Sequence, residues 1–382
     1  MKKIIVLCLI CFSPTLWATE ARVNTLGGEI AMLPKDDANI DLFPQAINEW
    51  ELVRISNIGD SGAPASDPGY AVLLGESGDK WGIYGGSTEV NDFVNVYRSL
   101  GKNKAIKLGV TLSTDKTKDP TVETEYSNIG FNFVFGMDKG DTEYAYTLAY
   151  NKDPILSPGC TSIPNVDGTC GKSTPIGGGA SISKKYNNFS ARFDMRTPKK
   201  LAIFDTLYAN AVLVNGSQKY DGVAGGASQK TTIIGGEVLV FKQIKFGEKD
   251  LLVYGLGFAL NYVKTSGDVG VTSIDNKQLA LGGPRIRVGL EKDIKYGVFR
   301  FGIYRTIDFY YSNKNESGGN TSDTSGFGQR GNYAITTGWG FNYKKLQIDV
   351  ILTDNFWSSG PQLIFDGSQG PLSARTDIRY SF

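Results

Sequence analysis

From about residue 69 to its last residue the chain keeps one rhythm: large apolar side chains alternate with small or polar ones over eight to fifteen residues, broken in turn by short turns and long polar stretches. Ile129, Phe131, Phe133 and Phe135 are large, with Gly130 and Asn132 between them. Tyr144, Tyr146, Leu148 and Tyr150 continue the theme, and Tyr254, Leu256, Phe258, Leu260 and Tyr262 alternate with Gly255, Gly257, Ala259 and Asn261. A strand turns successive side chains to opposite faces, so each segment has one greasy face and one of little bulk. About fourteen such segments predict an all-β chain, a transmembrane antiparallel β-barrel of fourteen strands with sixteen as the alternative.

Charge falls on the face opposite the apolar one. Arg192, Asp194 and Arg196 oppose Phe189, Ala191, Phe193 and Met195, while Arg285 and Arg287 oppose Ile286, Val288 and Leu290. With Arg300 and Asp308 these are the candidate lumen-lining residues. Arg305 breaks the rule, standing among Phe299, Phe301, Ile303, Ile307, Phe309 and Tyr311. A lipid-facing Arg at the midplane costs roughly 2–4 kcal/mol, so a bulge that turns it inward, or a place near the rim, is expected. Short turns are expected at Asp138–Asp141, Tyr186–Asn187, Gly247–Lys249, Lys292–Lys295 and Tyr343–Lys344. The stretches 114–127, 151–177, 216–230, 264–278, 312–330 and 355–373 then read as long outer loops.

Forty basic and thirty-nine acidic residues, evenly mixed, leave no basic footprint for nucleic acid, which is excluded as a partner. Residues 1–18 have the build of an export signal: Lys2 and Lys3, then the apolar run Ile4 to Phe12, then Ala18 at the cut. No later run is apolar and long enough for a membrane helix, so an exported barrel belongs in the cell outer membrane, among its lipids. Export leaves Cys160 and Cys170 as the one pair in an oxidising compartment, where a disulfide is expected. The chain has no histidine, which removes the Ser-His-Asp triad and the usual zinc sites. No catalytic residues, cofactor or metal are expected.

Two segments carry resemblances. The C-terminal ARTDIRYSF sets Ile378, Tyr380 and Phe382 on one face and Arg375, Asp377 and Arg379 on the other. It resembles the closing-strand signal by which bacterial outer-membrane barrels are recognised for insertion, which implies the barrel-assembly machinery as a partner. Residues 19–48 break the strand pattern. Within them Ala21-Arg22, Leu26-Gly27-Gly28, Asp36-Asp37-Ala38-Asn39 and Phe43-Pro44 resemble the start of FadL/TodX-type hydrophobic-compound transporters and related barrel proteins of secretion systems. The resemblance implies a plug or hatch built from 19–48, with Gly27, Gly28, Asp36, Asp37, Asn39, Phe43 and Pro44 as its residues, ahead of a barrel over 49–382. Phe43-Pro44-Gln45 stands where the family carries Asn-Pro-Ala, and the transported compound stays open. Three functions follow: transport of small hydrophobic or amphipathic ligands through a plugged barrel, a general diffusion porin, or a non-transporting barrel that serves surface or secretion machinery as an anchor.

Overall fold

The computed structural model describes residues 20–34, 36–58, 69–88, 91–119, 122–152, 183–221, 227–247, 250–269, 272–295, 297–317, 320–327, 333–352 and 373–382. The export signal and the Cys160 and Cys170 pair lie outside the described residues. After a short helix α1 (Glu20–Thr25) and three 3₁₀ turns (Ile30–Met32, Asp37–Asp41, Pro44–Glu49) the described residues run as strands joined by short turns. Four are short: β1 (Leu52–Ile58), β2 (Gly69–Leu74), β3 (Trp81–Thr88) and β4 (Asn91–Ser99). Then come β5 (Lys104–Asp119), β6 (Val122–Lys139), β7 (Thr142–Lys152), β8 (Ser183–Leu201), β9 (Phe204–Asp221), β10 (Ala227–Phe246), β11 (Asp250–Val269), β12 (Thr272–Ile294) and β13 (Gly297–Ser317). The order closes with β14 (Asn320–Gly326), β15 (Tyr333–Tyr343), β16 (Leu346–Leu352) and β17 (Ser373–Ser381).

Every strand pairs antiparallel with its sequence neighbour, and β1 pairs with both β2 and β17, which closes the sheet. Strand β14 pairs with the far part of β13, Tyr311–Ser317, and β15 with the near part, Val298–Arg305, so the two share one place in the ring. The barrel therefore has sixteen strands rather than the fourteen expected as the main count. Two misread features explain the difference. At Tyr186–Asn187, where a turn was expected, β8 runs on unbroken to Leu201. The reversals at Gly75–Lys80, Leu100–Asn103 and Ala202–Ile203 were not foreseen, although Gly75, Gly78 and Gly101 mark the first two.

The polar stretches 114–127, 216–230, 264–278 and 312–330 are mostly strand as well: β5 and β6 stay in register out to Asp119 and Val122, and β11 and β12 out to Val269 and Thr272. Where both faces of a hairpin are polar the alternation disappears from the sequence although the backbone ladder continues.

Outward positions form the apolar belt. Trp81, Ile83, Leu108, Phe131, Leu148 and Phe258 are all exposed. On β17 the same face carries Tyr380 and Phe382, whose rings meet edge to face at 5.5 Å, and Ile378 opposes Ile55 and Ile348. The register of β12 against both neighbours breaks at Gly282–Arg285, opposite the Thr306–Asp308 stretch of β13. A bulge is thus present, but it lies beyond Arg305 and does not turn it inward. Arg305 faces outward, opposite Ile286 of β12 and Tyr333 of β15, both exposed. Past the bulge the parity of β13 flips, and Tyr310, not Tyr311, shares the outward face with Leu281.

Replacing Arg305 by Leu is expected to stabilise the refolded barrel in lipid vesicles by up to about 2 kcal/mol, read from guanidinium unfolding. No gain would place Arg305 at the polar rim instead.

Candidate functional site

Residues 20–34 and 36–50 lie inside the ring, packed on inward faces around it. Their sequence has too few turns of any one helix to stand alone; Glu29 and Asp36 cap the first two 3₁₀ turns, and the wall holds the rest. Asp36 accepts from Ala38 N at 3.0 Å and so starts the second 3₁₀ turn; Asn39 donates through Nδ2 to Leu33 O and to Asp36 O. After α1 the chain reverses at Gly27 and Gly28, with φ of +97° and +70°, and Gly28 N donates back to Val23 O at 3.0 Å. Those angles favour glycine, which is why the pair stands there. Pro44 opens the third turn, where its missing N–H is no loss.

A line of alternating charge joins this segment to the wall. The Arg22 guanidinium donates to Glu291 of β12 at 2.6 and 3.0 Å and to Asp36 at 3.2 Å. Glu291 also accepts from Arg300 of β13 at 2.6 Å, and Arg300 donates to Asp349 of β16 at 2.6 Å. All five groups are buried. Beside them Asp37 accepts from Arg379 of β17 at 3.0 Å and from Arg54 of β1 at 3.3 Å, and Ala21 N donates to Asp377 at 2.7 Å. Across the ring Arg196 of β8 donates to Asn39 Oδ1 at 2.7 Å and Ala31 O at 3.1 Å, pairs with Glu143 of β7, and lies 4.7 Å over the Phe43 ring. Arg287 donates to Gly27 O at 2.7 Å and pairs with Glu29 at 3.2 Å. Breaking a buried pair by removing one partner costs about 3–5 kcal/mol, so these bonds fix where the segment sits.

Apolar packing completes the contact. Met32, Leu33 and Phe43 pack with Leu239, Phe241, Leu251 and Val253, while Ile40 and Ile47 pack with Leu52, Leu73 and Tyr97. The wall is pared back to receive α1 and its turn: a Cβ on Gly302 would lie 2.5 Å from Gly27 N, and one on Gly289 2.7 Å from Leu26 O.

The sequence-derived residues fall into three groups. Asp36, Asp37, Asn39, Phe43, Gly27, Arg196, Arg287 and Arg300 belong to this contact, with Gly28 and Pro44 shaping the turns. Arg192 and Asp194 form a separate wall cluster with Tyr208, and Arg285 pairs with Glu237 at 3.1 Å. Asp308 stands in β13 at the bulge, its side chain outside the described residues. Sequence reasoning missed Glu143, Glu291 and Asp349 as wall partners; each stands on the inward phase of its strand, which is the signal that would have found it.

No family model matches the chain, and no curated protein does. Among solved structures the alcaligin outer membrane receptor FauA from Bordetella pertussis aligns with 79% of this chain and 43% of its own, at 9% identity and a TM-score of 0.41. BamA from Haemophilus ducreyi, lacking POTRA domains 1–3, aligns with 87% of this chain and 70% of its own, at 10% identity and a TM-score of 0.36. The chain thus spans less than half the length of that receptor. The closed antiparallel ring with its outward apolar belt is itself the build of an outer-membrane-type β-barrel.

Burial pushes the Asp36 carboxyl up to about 7, with Arg22 drawing it down and Asp37 pushing it up again. A free Asp titrates near about 4, so Asp36 favours the seated segment below that value and loses this contribution as pH rises through about 7. Hydrogen exchange of the segment, corrected for intrinsic rates, is expected to show protection falling from about pH 5 to pH 8, and Asp36→Asn to flatten that fall. An unchanged profile in the variant would assign the effect to another group. Independently, Gly302→Ala is expected to expose 20–34 to protease while the barrel keeps its folded migration in SDS; full protection would show that the wall glycine is not needed for seating.

Proposed function

We propose that residues 20–50 are a plug, and that the protein is an outer-membrane channel for small hydrophobic or amphipathic compounds which conducts only when the plug shifts. The observation that carries this reading is the buried line Asp36–Arg22–Glu291–Arg300–Asp349, which ties a segment with no strand of its own to the inner wall. A diffusion porin needs an open lumen, and a segment bonded to β1, β8, β12 and β17 at once leaves little of one. Among the described residues, one gap between the segment and the wall, lined by Asp37, Tyr84 and Tyr97, is about the size of a single water. The leader's resemblance to hydrophobic-compound transporters supplies the substrate class, and the C-terminal Ile378, Tyr380 and Phe382 support insertion by the barrel-assembly machinery.

The test is conductance in planar lipid bilayers. Full-length protein is expected to be silent and a form lacking residues 20–48 to conduct; Arg22→Ala is expected to give intermittent openings. Large steady conductance from the intact protein would sink the plug and favour the porin.

A further inference from the structure

Past the charged layer the inner wall changes character. On β4 to β8 its inward positions carry carboxamides: Asn95, Asn132, Asn151 and Asn188. Asn151 and Asn188 oppose each other directly, and Asn95 and Asn132 are both register partners of Gly109. Inward glycines make room for them. A Cβ on Gly109 would lie 2.3 Å from Asn95 Oδ1 and 2.4 Å from Asn132 Nδ2, and one on Gly130 would lie 2.1 Å from Asn151 Oδ1. The amide oxygens of Asn132 and Asn188 are buried and accept no hydrogen bond from the protein. Beside this sector, Val214, Ile233 and Val263 stand in one cross-strand row on β9, β10 and β11, on the inward phase of their strands.

We infer that this stretch of wall binds a neutral amphiphile with a hydroxyl-bearing head, the head on the asparagines and its chain on the Val214–Ile233–Val263 row. The inference rests on the transport reading above and names its substrate class. Orphan acceptors need a donor, which a hydroxyl provides. An ionised fatty-acid carboxylate is acceptor-only and leaves those oxygens unmet while losing its own hydration. The carboxamides carry no charge that would repay that loss. An apolar strip beside a few convergent polar groups is the usual build of a site for a small amphipathic molecule.

The test uses the full chain in lipid nanodiscs, with octyl glucoside below its micellar concentration as the probe and decanoate as the charged comparator. Saturable glucoside binding above that of empty discs is expected, undisplaced by decanoate. Asn132→Leu/Asn188→Leu should weaken it about tenfold, the loss of one to two hydrogen bonds, and the Ser pair should retain most of it. Should the Leu pair fail to fold, Asn188→Ala alone, which removes the acceptor without adding bulk, should also weaken binding. Equal competition by decanoate, binding no greater than that of empty discs, or unchanged affinity in folded variants would overturn the assignment. Steady conductance with glucoside binding intact would instead remove the plug and leave this site standing.

Discussion

Five charges of alternating sign, Asp36, Arg22, Glu291, Arg300 and Asp349, run in a line from the N-terminal segment into the wall, and all five are buried. Taking that much charge out of water is tolerable only where each group meets opposite charge at hydrogen-bond distance. Glu291 meets two guanidiniums, and Arg22 and Arg300 each meet two carboxylates. Glu291 takes one guanidinium from the wall and one from the segment, which couples the two. The wall without the segment would leave Glu291 with Arg300 alone, and the segment without the wall would lose the partners that hold its short turns.

Barrel closure is what makes such a lumen available. A sheet whose first strand pairs with its last leaves no backbone edge, so the outward half of the side chains can be given wholly to lipid and the inward half is free of that demand. This barrel uses the inward half in two layers. Near the short turns it is charged and meets residues 20–50; farther along β4 to β11 it becomes neutral, with asparagine, glycine and valine. Glycine serves both layers by withdrawing bulk, under the Leu26–Gly28 turn at Gly289 and Gly302 and under the carboxamides at Gly109 and Gly130.

Much of the barrel was legible. Alternation at Ile129–Phe135 and Tyr254–Tyr262, and the same-face charges Arg192, Asp194 and Arg196, place outward and inward faces correctly because a two-residue period holds wherever a strand runs without a bulge. Strand lengths were misread where that period fades. The hairpin past Thr114 and the start of β8 at Ser183 are polar on both sides, and a strand in water needs no apolar face to show itself. Arg305 was read as misplaced and is in fact outward, because the bulge that rearranges β13 falls just after it.

The local order of the chain alone decided that successive side chains part to two faces, that Gly27 and Gly28 mark a reversal, and that the last strand carries Ile378, Tyr380 and Phe382 outward. Partnership was decided only by the closed ring. Arg22 and Glu291 are 269 residues apart, and Asp37 and Arg379 are 342 apart. No periodicity links such positions, since which charge faces which depends on strand register and closure, and those are properties of the whole sheet.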